Sequence, residues 1–316
     1  MALKFAKVGF ILLKNNRKYR TMKYLKNISI LAVALFFSTM NAQQQANYNL
    51  YRYTMNAINP AYAGANTEKV EFTSHIKSYW NGLEGAPETQ TFNLSAPSGR
   101  RIGLGFSVVN NKVFVENETD FYVDVSYRLQ LSESTDVYLG LKAGGSTYGL
   151  RRGALKGFNI NVDPALFHVS NKFRPNVGIG AYLKKENYYV ALSIPKLLNS
   201  RAIAKKNDQV VYSKTSLHAY LSGGYNFWLS NIELRPSFML QYAANAPLSA
   251  EFTAAAKFAQ KLELGASYRT DNAFAGLLTL EVFDWLTFGY AYETTTRNEI
   301  LKVSSGTHEF LVRFRL

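Results

Sequence analysis

The residues that could carry chemistry are few and scattered. The histidines are His75, His168, His218 and His308. No two have the His-x-x-x-His spacing that sets a pair of imidazoles on one helical face, and no carboxylates cluster beside them. No zinc site or catalytic constellation is therefore expected. Cysteine is absent, which removes thiolate ligands, a Cys nucleophile, disulfides and a lipidated N-terminal cysteine. A Ser/His or Asp/His hydrolase could still assemble in space, because its residues need not be near in sequence. No spacing here points to one. Gly103-x-Gly105 and Gly178-x-Gly180 fall inside strand patterns with no helix after them. They are not phosphate loops, and mark close packing or bends. The expectation is a protein that is not an enzyme and carries no metal or cofactor.

The ionisable residues instead keep a two-residue rhythm, clearest in TDFYVDVSYRLQL at 119–131. Phe121, Val123, Val125, Tyr127, Leu129 and Leu131 alternate with Asp124, Ser126, Arg128 and Gln130. A strand sends successive side chains to opposite faces, so this one has an apolar and a polar face. That suits a half-buried strand of a soluble sheet or a strand of a transmembrane barrel. Fourteen such strands are predicted, near 68–79, 89–97, 101–110, 118–131, 136–148, 175–185, 188–194, 215–228, 231–243, 249–258, 261–270, 273–282, 285–293 and 306–316. In the last, Phe310, Val312, Phe314 and Leu316 oppose Glu309, Arg313 and Arg315. An Arg or Lys facing lipid at mid-bilayer costs about 2–4 kcal/mol, so charges on one parity are what a barrel requires.

The connections separate the two readings. Long ones (80–88, 111–117, 149–174, 195–214 and 293–305) alternate with short ones (98–100, 132–135, 186–187, 229–230, 259–260 and Asp284). Short periplasmic turns alternating with longer extracellular loops mark an outer-membrane barrel, whereas a sandwich has no reason to keep that order. The fold class is thus all-β, an antiparallel transmembrane outer-membrane β-barrel of about 14 strands. The tight link Asp271-Asn272 breaks the alternation. Pro236 falls inside a strand, where a bulge or a periplasmic strand end is expected. The Ala-rich run 249–258 could pass for a helix on propensity but keeps the two-residue period.

The chain has 316 residues, 21 of them Tyr and 21 Phe, an enrichment that suits strands and membrane-interface belts. Met22 to Ala42 reads as a signal peptide: Lys23 and Lys26, then an apolar core from Ile28 to Phe37, then a small residue before Gln43. Met22 is read as the true start, with 1–42 a cleaved targeting region. Residues 1–42 hold eight Lys and Arg and no acid, so their removal lowers the formal charge from +14 to +6. With no nucleic-acid motif present, that reading is set aside. Residues 43–67 form a periplasmic-side segment and 68–316 the barrel. Tyr48, Tyr51, Tyr53, Met55, Ile58 and Tyr62 are too bulky for a solvated linker, and are expected to pack inside the periplasmic opening.

Within that segment, Tyr51 to Gly64 (YRYTMNAINPAYAG) resembles the N-terminal signature of the PorP/SprF family of Bacteroidota outer-membrane proteins. Trp80 to Gln90 (WNGLEGAPETQ) is similar to the family's second signature, and Gly103-Leu104-Gly105 with Asn110-Asn111 to its third. Lys77, Tyr79 and Asn111 depart from the family's more frequent Arg, Gln and Asp. The resemblance implies a place beside the type IX secretion and gliding machinery, with a large secreted surface protein, an adhesin, as partner to be exported or anchored. Partners expected are outer-membrane lipid, type IX secretion components and that surface protein.

The motif residues Asn56, Asn59, Pro60, Tyr62, Gly64, Trp80, Asn81, Gly82, Glu84, Gly85, Ala86, Pro87 and Thr89 are the candidate partner-binding set. Gly82, Gly85 and Pro87 equally suit a tight loop that only makes its turn, and Trp80 an interfacial girdle. The loops at 149–174 and 195–214 are basic, through Arg151, Arg152, Lys156, Lys172, Arg174, Lys196, Arg201, Lys205 and Lys206, and Asp163 to Phe167 suggests a small ordered element. A passive solute channel is the competing function. Strand number does not choose between the two, since the lumen charges Asp124, Arg128, Glu233, Arg235 and Arg269 can pair and close the bore or line a pore.

Overall fold

The computed structural model describes residues 47–150, 173–198, 201–206, 209–214, 217–244, 246–296 and 302–316, with backbone alone at 150, 201–206 and 209–214. The expected leader, the element at 163–167, His168, Arg151, Arg152, Lys156 and Lys172 lie outside the described residues.

Alternating sequence becomes alternating strand along most of the wall. The strands are β1 (Glu71–Ser78), β2 (Glu88–Ser98), β3 (Ile102–Val113), β4 (Glu116–Ser132), β5 (Thr135–Leu150), β6 (Phe173–Lys185), β7 (Tyr188–Ile194), β8 (Arg201–Lys206), β9 (Gln209–Lys214), β10 (His218–Tyr225), β11 (Phe227–Leu229), β12 (Ile232–Leu234), β13 (Ser237–Ala243), β14 (Ser249–Phe258), β15 (Leu262–Arg269), β16 (Ala273–Phe283), β17 (Leu286–Thr295) and β18 (Thr307–Arg315). β10 with β11, and β12 with β13, are the two halves of interrupted strands, and β8 pairs only with β9. The remainder is a closed antiparallel barrel of 14 strands, sealed where β1 pairs with β18 from Glu71↔Arg315 to Ser78↔His308. Closure leaves no unpaired edge, the condition for crossing hydrocarbon with strands.

The two faces obey the predicted parity. Val123 is 53%, Leu141 66% and Phe252 55% exposed on the outside, while Asp124, Lys142 and Glu309 on the inside are at most 1% exposed. At the short-turn end Phe283, Trp285 and Phe314 stack in a row, with centroids 5.3 and 6.1 Å apart, as interfacial aromatics do. The tight link at Asp271-Asn272 is a real hairpin, with Asn272 at φ 67°. The run 249–258 is strand, as its period required.

Two expectations change. No bulge forms at Pro236: Leu234 faces Ala256, Arg235 N donates to Ala255 O at 2.7 Å and Ser237 faces Thr253, so the register is kept and the ladder lacks only a donor at Pro236. Proline has no N–H to give, and its carbonyl still accepts from Tyr225 N at 3.0 Å. The region 195–214, read as a loop, contains the β8–β9 hairpin.

Leu141→Arg and Val123→Arg should each weaken folding into short-chain phosphatidylcholine vesicles by about 2–4 kcal/mol, read by reversible denaturant titration. Unchanged midpoints would mean that this face does not meet hydrocarbon.

Candidate functional site

The segment before β1 is built from three single turns, Tyr51–Tyr53, Met55–Ile58 and Pro60–Tyr62. Each is too short to persist alone. Asn59 starts the last of them: its Oδ1 accepts from Ala61 N at 2.9 Å, and Pro60 presets the following φ. The rest of the support comes from the barrel wall. The segment threads the bore lengthwise, from the level of Lys77 and Tyr79 near the long loops to Ser95 and Lys184 near the short turns. Its bulky residues therefore pack far beyond the mouth at which the sequence placed them.

The upper anchor is Glu309. Its two carboxylate oxygens accept the backbone N–H groups of Asn49 and Leu50, each at 2.9 Å. His75 Nε2 lies 2.8 Å and Lys77 Nζ 3.5 Å from the same carboxylate. Lys77 also reaches Asn47 Oδ1 at 3.0 Å and Glu293 at 3.1 Å. Glu293 in turn holds Arg269 at 2.7 Å. Tyr48 closes this level through Thr91 at 3.0 Å.

Midway, Tyr51 donates to Ser237 at 2.7 Å and Tyr53 to Glu263 at 3.2 Å. Arg313 donates to the Tyr53 carbonyl and lies over its ring at 5.1 Å. Arg52 donates to Asn226 Oδ1 at 3.1 Å and to the carbonyl of Arg235 at 3.3 Å. That carbonyl belongs to the interruption beside Pro236, so the segment satisfies a group the broken strand leaves over. Lower down, Lys142 bridges Asp124 at 3.0 Å, Ser107 at 3.3 Å and the Asn56 carbonyl at 3.5 Å. Asn56 donates to Leu94 O and Asn59 to Ala181 O, both at 3.2 Å.

The stretch Asn59 to Gly64 lies on a floor of glycines contributed by β3, β5 and β6. A methyl at Gly140 would stand 2.1 Å from Ala61 N, one at Gly180 2.1 Å from Asn59 Oδ1, and one at Gly103 2.0 Å from the Ala63 carbonyl. Gly64 itself has φ +64° and sits against Gly103, with its N–H on Ser95 at 2.8 Å. The first and third sequence signatures thus meet as backbone against backbone, the close packing foreseen at Gly103 and Gly105.

The same segment supplies the apolar core. Tyr48, Tyr51, Met55, Ile58, Ala61 and Ala65 pack with Tyr138, Tyr182, Tyr220 and Met239 of the wall, and Tyr62 meets Tyr182 edge-on at 5.4 Å. Further lumen charges pair with one another: Arg235 with Glu233 at 2.9 Å and, at 2.8 Å, with the Glu263 that also accepts from Tyr53, and Arg128 with Asp136 at 2.8 Å. Near the long loops, Lys196 folds inward onto Asp120 at 2.8 Å and Glu118 at 3.5 Å. Burial disfavours its ammonium, but those carboxylates outweigh the burial and hold its pKa above the ordinary lysine value.

The second signature stands apart, at the long-loop rim. Asn81 N donates to Gly306 O at 2.7 Å, Ser305 N to Asn81 O at 2.9 Å and Trp80 N to Thr307 Oγ1 at 3.2 Å. Gly82 and Gly85 have φ of 96° and 76°, and Gly85 O accepts from Phe114 N at 2.9 Å. Pro87 O accepts from Tyr79 N at 3.0 Å. Asn81, Gly82, Glu84 and Gly85 are exposed, Trp80, Ala86 and Pro87 half-buried. Thr89 is buried against Asn111 at 2.8 Å.

The motif residues therefore divide. Asn56, Asn59, Pro60, Tyr62 and Gly64 lie in the bore, and the run from Trp80 to Pro87 lies on the rim. His75 faces the bore, and His308 Nδ1 pairs with Tyr290 at 2.9 Å. Sequence reasoning missed Glu309, Lys77, Lys142, Gly140 and Gly180 as members of the site. The inward parity of the three charges was the available signal.

Glu309→Ala leaves two N–H groups, an ammonium and an imidazole without their carboxylate. It should cost about 3–5 kcal/mol in detergent unfolding. Gly140→Val should cost about 1–3 kcal/mol by overpacking. Both should also expose residues 47–67 to limited proteolysis, and a segment that stays resistant would refute the anchoring described.

Among solved structures, the chain is similar to the Acinetobacter baumannii outer membrane protein Omp33, at 11% identity, 78% of this chain, 99% of that chain and a TM-score of 0.44. It is similar to the Ralstonia pickettii toluene transporter TbuX at 10% identity, 81% of this chain, 91% of that chain and a TM-score of 0.45. For the monoaromatic hydrocarbon channel CymD the values are 12%, 87%, 94% and 0.44. Likeness this distant says nothing of what the barrel does. No curated protein matches the chain. The family model described as type IX secretion system membrane protein PorP/SprF matches residues 40–314. The chain therefore belongs to the PorP/SprF family of type IX secretion system membrane proteins, here an outer-membrane barrel whose bore is occupied by its own N-terminal segment.

Proposed function

We propose that this barrel is a non-enzymatic partner in type IX secretion that helps export, or anchors at the cell surface, one large secreted adhesin of the gliding machinery. In this reading a signal peptide brings the chain to the periplasm of a Bacteroidota cell. The short turns then face the periplasmic components and the long loops face outward. The observation that carries the reading is the filled bore. A diffusion channel needs a continuous aqueous path, whereas here Glu309, Lys77, Lys142 and Arg313 are spent on holding residues 47–67. The rim loop supports the other half of the proposal. Asn81, Glu84 and Leu83 are exposed on a loop pinned by hydrogen bonds, a surface set for contact without ordering cost.

In planar bilayers the intact barrel should give no steady conductance. Cells lacking it should lose one adhesin from the surface with general porosity unchanged. Replacing Asn81 and Glu84 by alanine should lower retention of that adhesin while leaving barrel assembly intact. Steady open-channel current together with an unaltered set of surface proteins would favour the solute channel instead.

A further inference from the structure

Among the described residues, a sizeable cleft remains beside the threaded segment. It lies at the short-turn end beside the β3–β4 ladder and encloses about 590 Å³. It is lined by Gly99, Arg100 and Arg101 of the β2–β3 turn, by Tyr127, Arg128, Leu129 and Gln130 of β4, and by Thr67. Three arginines and no carboxylate line it.

The arginines are not equally committed. Arg128 is held by Asp136 at 2.8 Å. Arg101 donates only to the Tyr127 hydroxyl, at 3.3 Å, and keeps the rest of its guanidinium free among the described residues. Arg100 has no ion pair among the described residues, and both it and Arg101 are exposed. Gly99, at φ +71°, makes the turn that carries the two side by side.

On the opposite wall Tyr127 and Leu129 belong to the apolar outer face of the barrel, while Arg128 and Gln130 have the inward parity. Tyr127 and Leu129 have the same parity as Val125 and Val123, and Ile102 of β3 stands across from Tyr127. All five are exposed. Through Tyr127 and Leu129 the cleft adjoins the lipid-facing stripe, with the cations of Arg100 and Arg101 at its head. Planar guanidinium groups bind phosphate oxygens in pairs, and basic clefts at a membrane boundary collect anionic headgroups. An acidic peptide would satisfy the arginines but has no use for a wall that runs into the bilayer.

We propose that this cleft is a binding site for an anionic phospholipid, with Arg100 and Arg101 on its phosphate and an acyl chain along Leu129, Tyr127 and Val125. Native mass spectrometry of the intact, delipidated barrel tests it by titration with dioleoyl phosphatidylglycerol, tetraoleoyl cardiolipin and dioleoyl phosphatidylethanolamine. The anionic lipids should be retained about tenfold more tightly than the zwitterionic one, the gain expected of charge-assisted hydrogen bonds. The double variant Arg100→Gln, Arg101→Gln should lose that preference while keeping heat-modifiable electrophoretic mobility. The comparison of lipids on the unaltered protein stands even if the variant fails to fold. Equal retention of all three lipids, or an undiminished preference in a folded variant, would overturn the proposal. So would displacement of the lipid by millimolar inorganic phosphate or by a polyglutamate peptide, which would assign the arginines to a free anion or to a protein.

Discussion

Glu309 shares one carboxylate among the N–H groups of Asn49 and Leu50, the imidazole of His75 and the ammonium of Lys77. The segment's single turns satisfy only part of its backbone, and inside a closed barrel the wall supplies partners for other groups. Glu309, Arg313, Ser95, Ser126 and Lys184 supply those partners along the bore. The polar inner face that lipid exclusion enforces is what lets the chain's own N-terminal segment live there. Remove that complementarity and the segment would be a solvated strand of polar and aromatic residues beside an empty pore.

The same arrangement explains the distribution of charge. Lys77 faces Glu309, Asp124 faces Lys142, and Glu251 faces Arg269 directly across adjacent strands. Buried pairs of this kind contribute little net stability, because desolvation offsets their attraction, yet removing one partner is costly. Their effect is specificity. Each pair fixes a rotamer that in turn fixes where the threaded segment hydrogen-bonds. The glycine floor under Asn59 to Gly64 does the same by shape, because only hydrogen at Gly103, Gly140 and Gly180 lets the backbones approach.

The wall was readable from sequence because lipid punishes a misplaced charge, so parity survives along strands such as β1, β4, β14 and β18. Asp124 with Lys142 and Glu251 with Arg269 sit on neighbouring strands and were within reach of that reading. Lys77 with Glu309 was not, since it exists only once the first and last strands close the barrel. The threading of residues 47–67 was illegible for the same reason. The segment has no period, and the groups that hold it lie as much as 260 positions away. The β8–β9 hairpin was taken for loop although Asn207-Asp208 is turn chemistry between two short runs, because Lys205 and Lys206 made it look merely solvated. Pro236 was expected at a bulge or a periplasmic strand end; no bulge forms, and Arg52 donates to the carbonyl of Arg235 beside it.

The central claim is that residues 49–65 are part of the folded barrel's interior. Hydrogen–deuterium exchange on the intact protein in detergent tests it most directly. The amides of Asn49, Leu50, Ala61 and Gly64 should exchange as slowly as those of the strands around them. Exchange across 49–65 at the rate of an unstructured peptide, with the wall still protected, would contradict it.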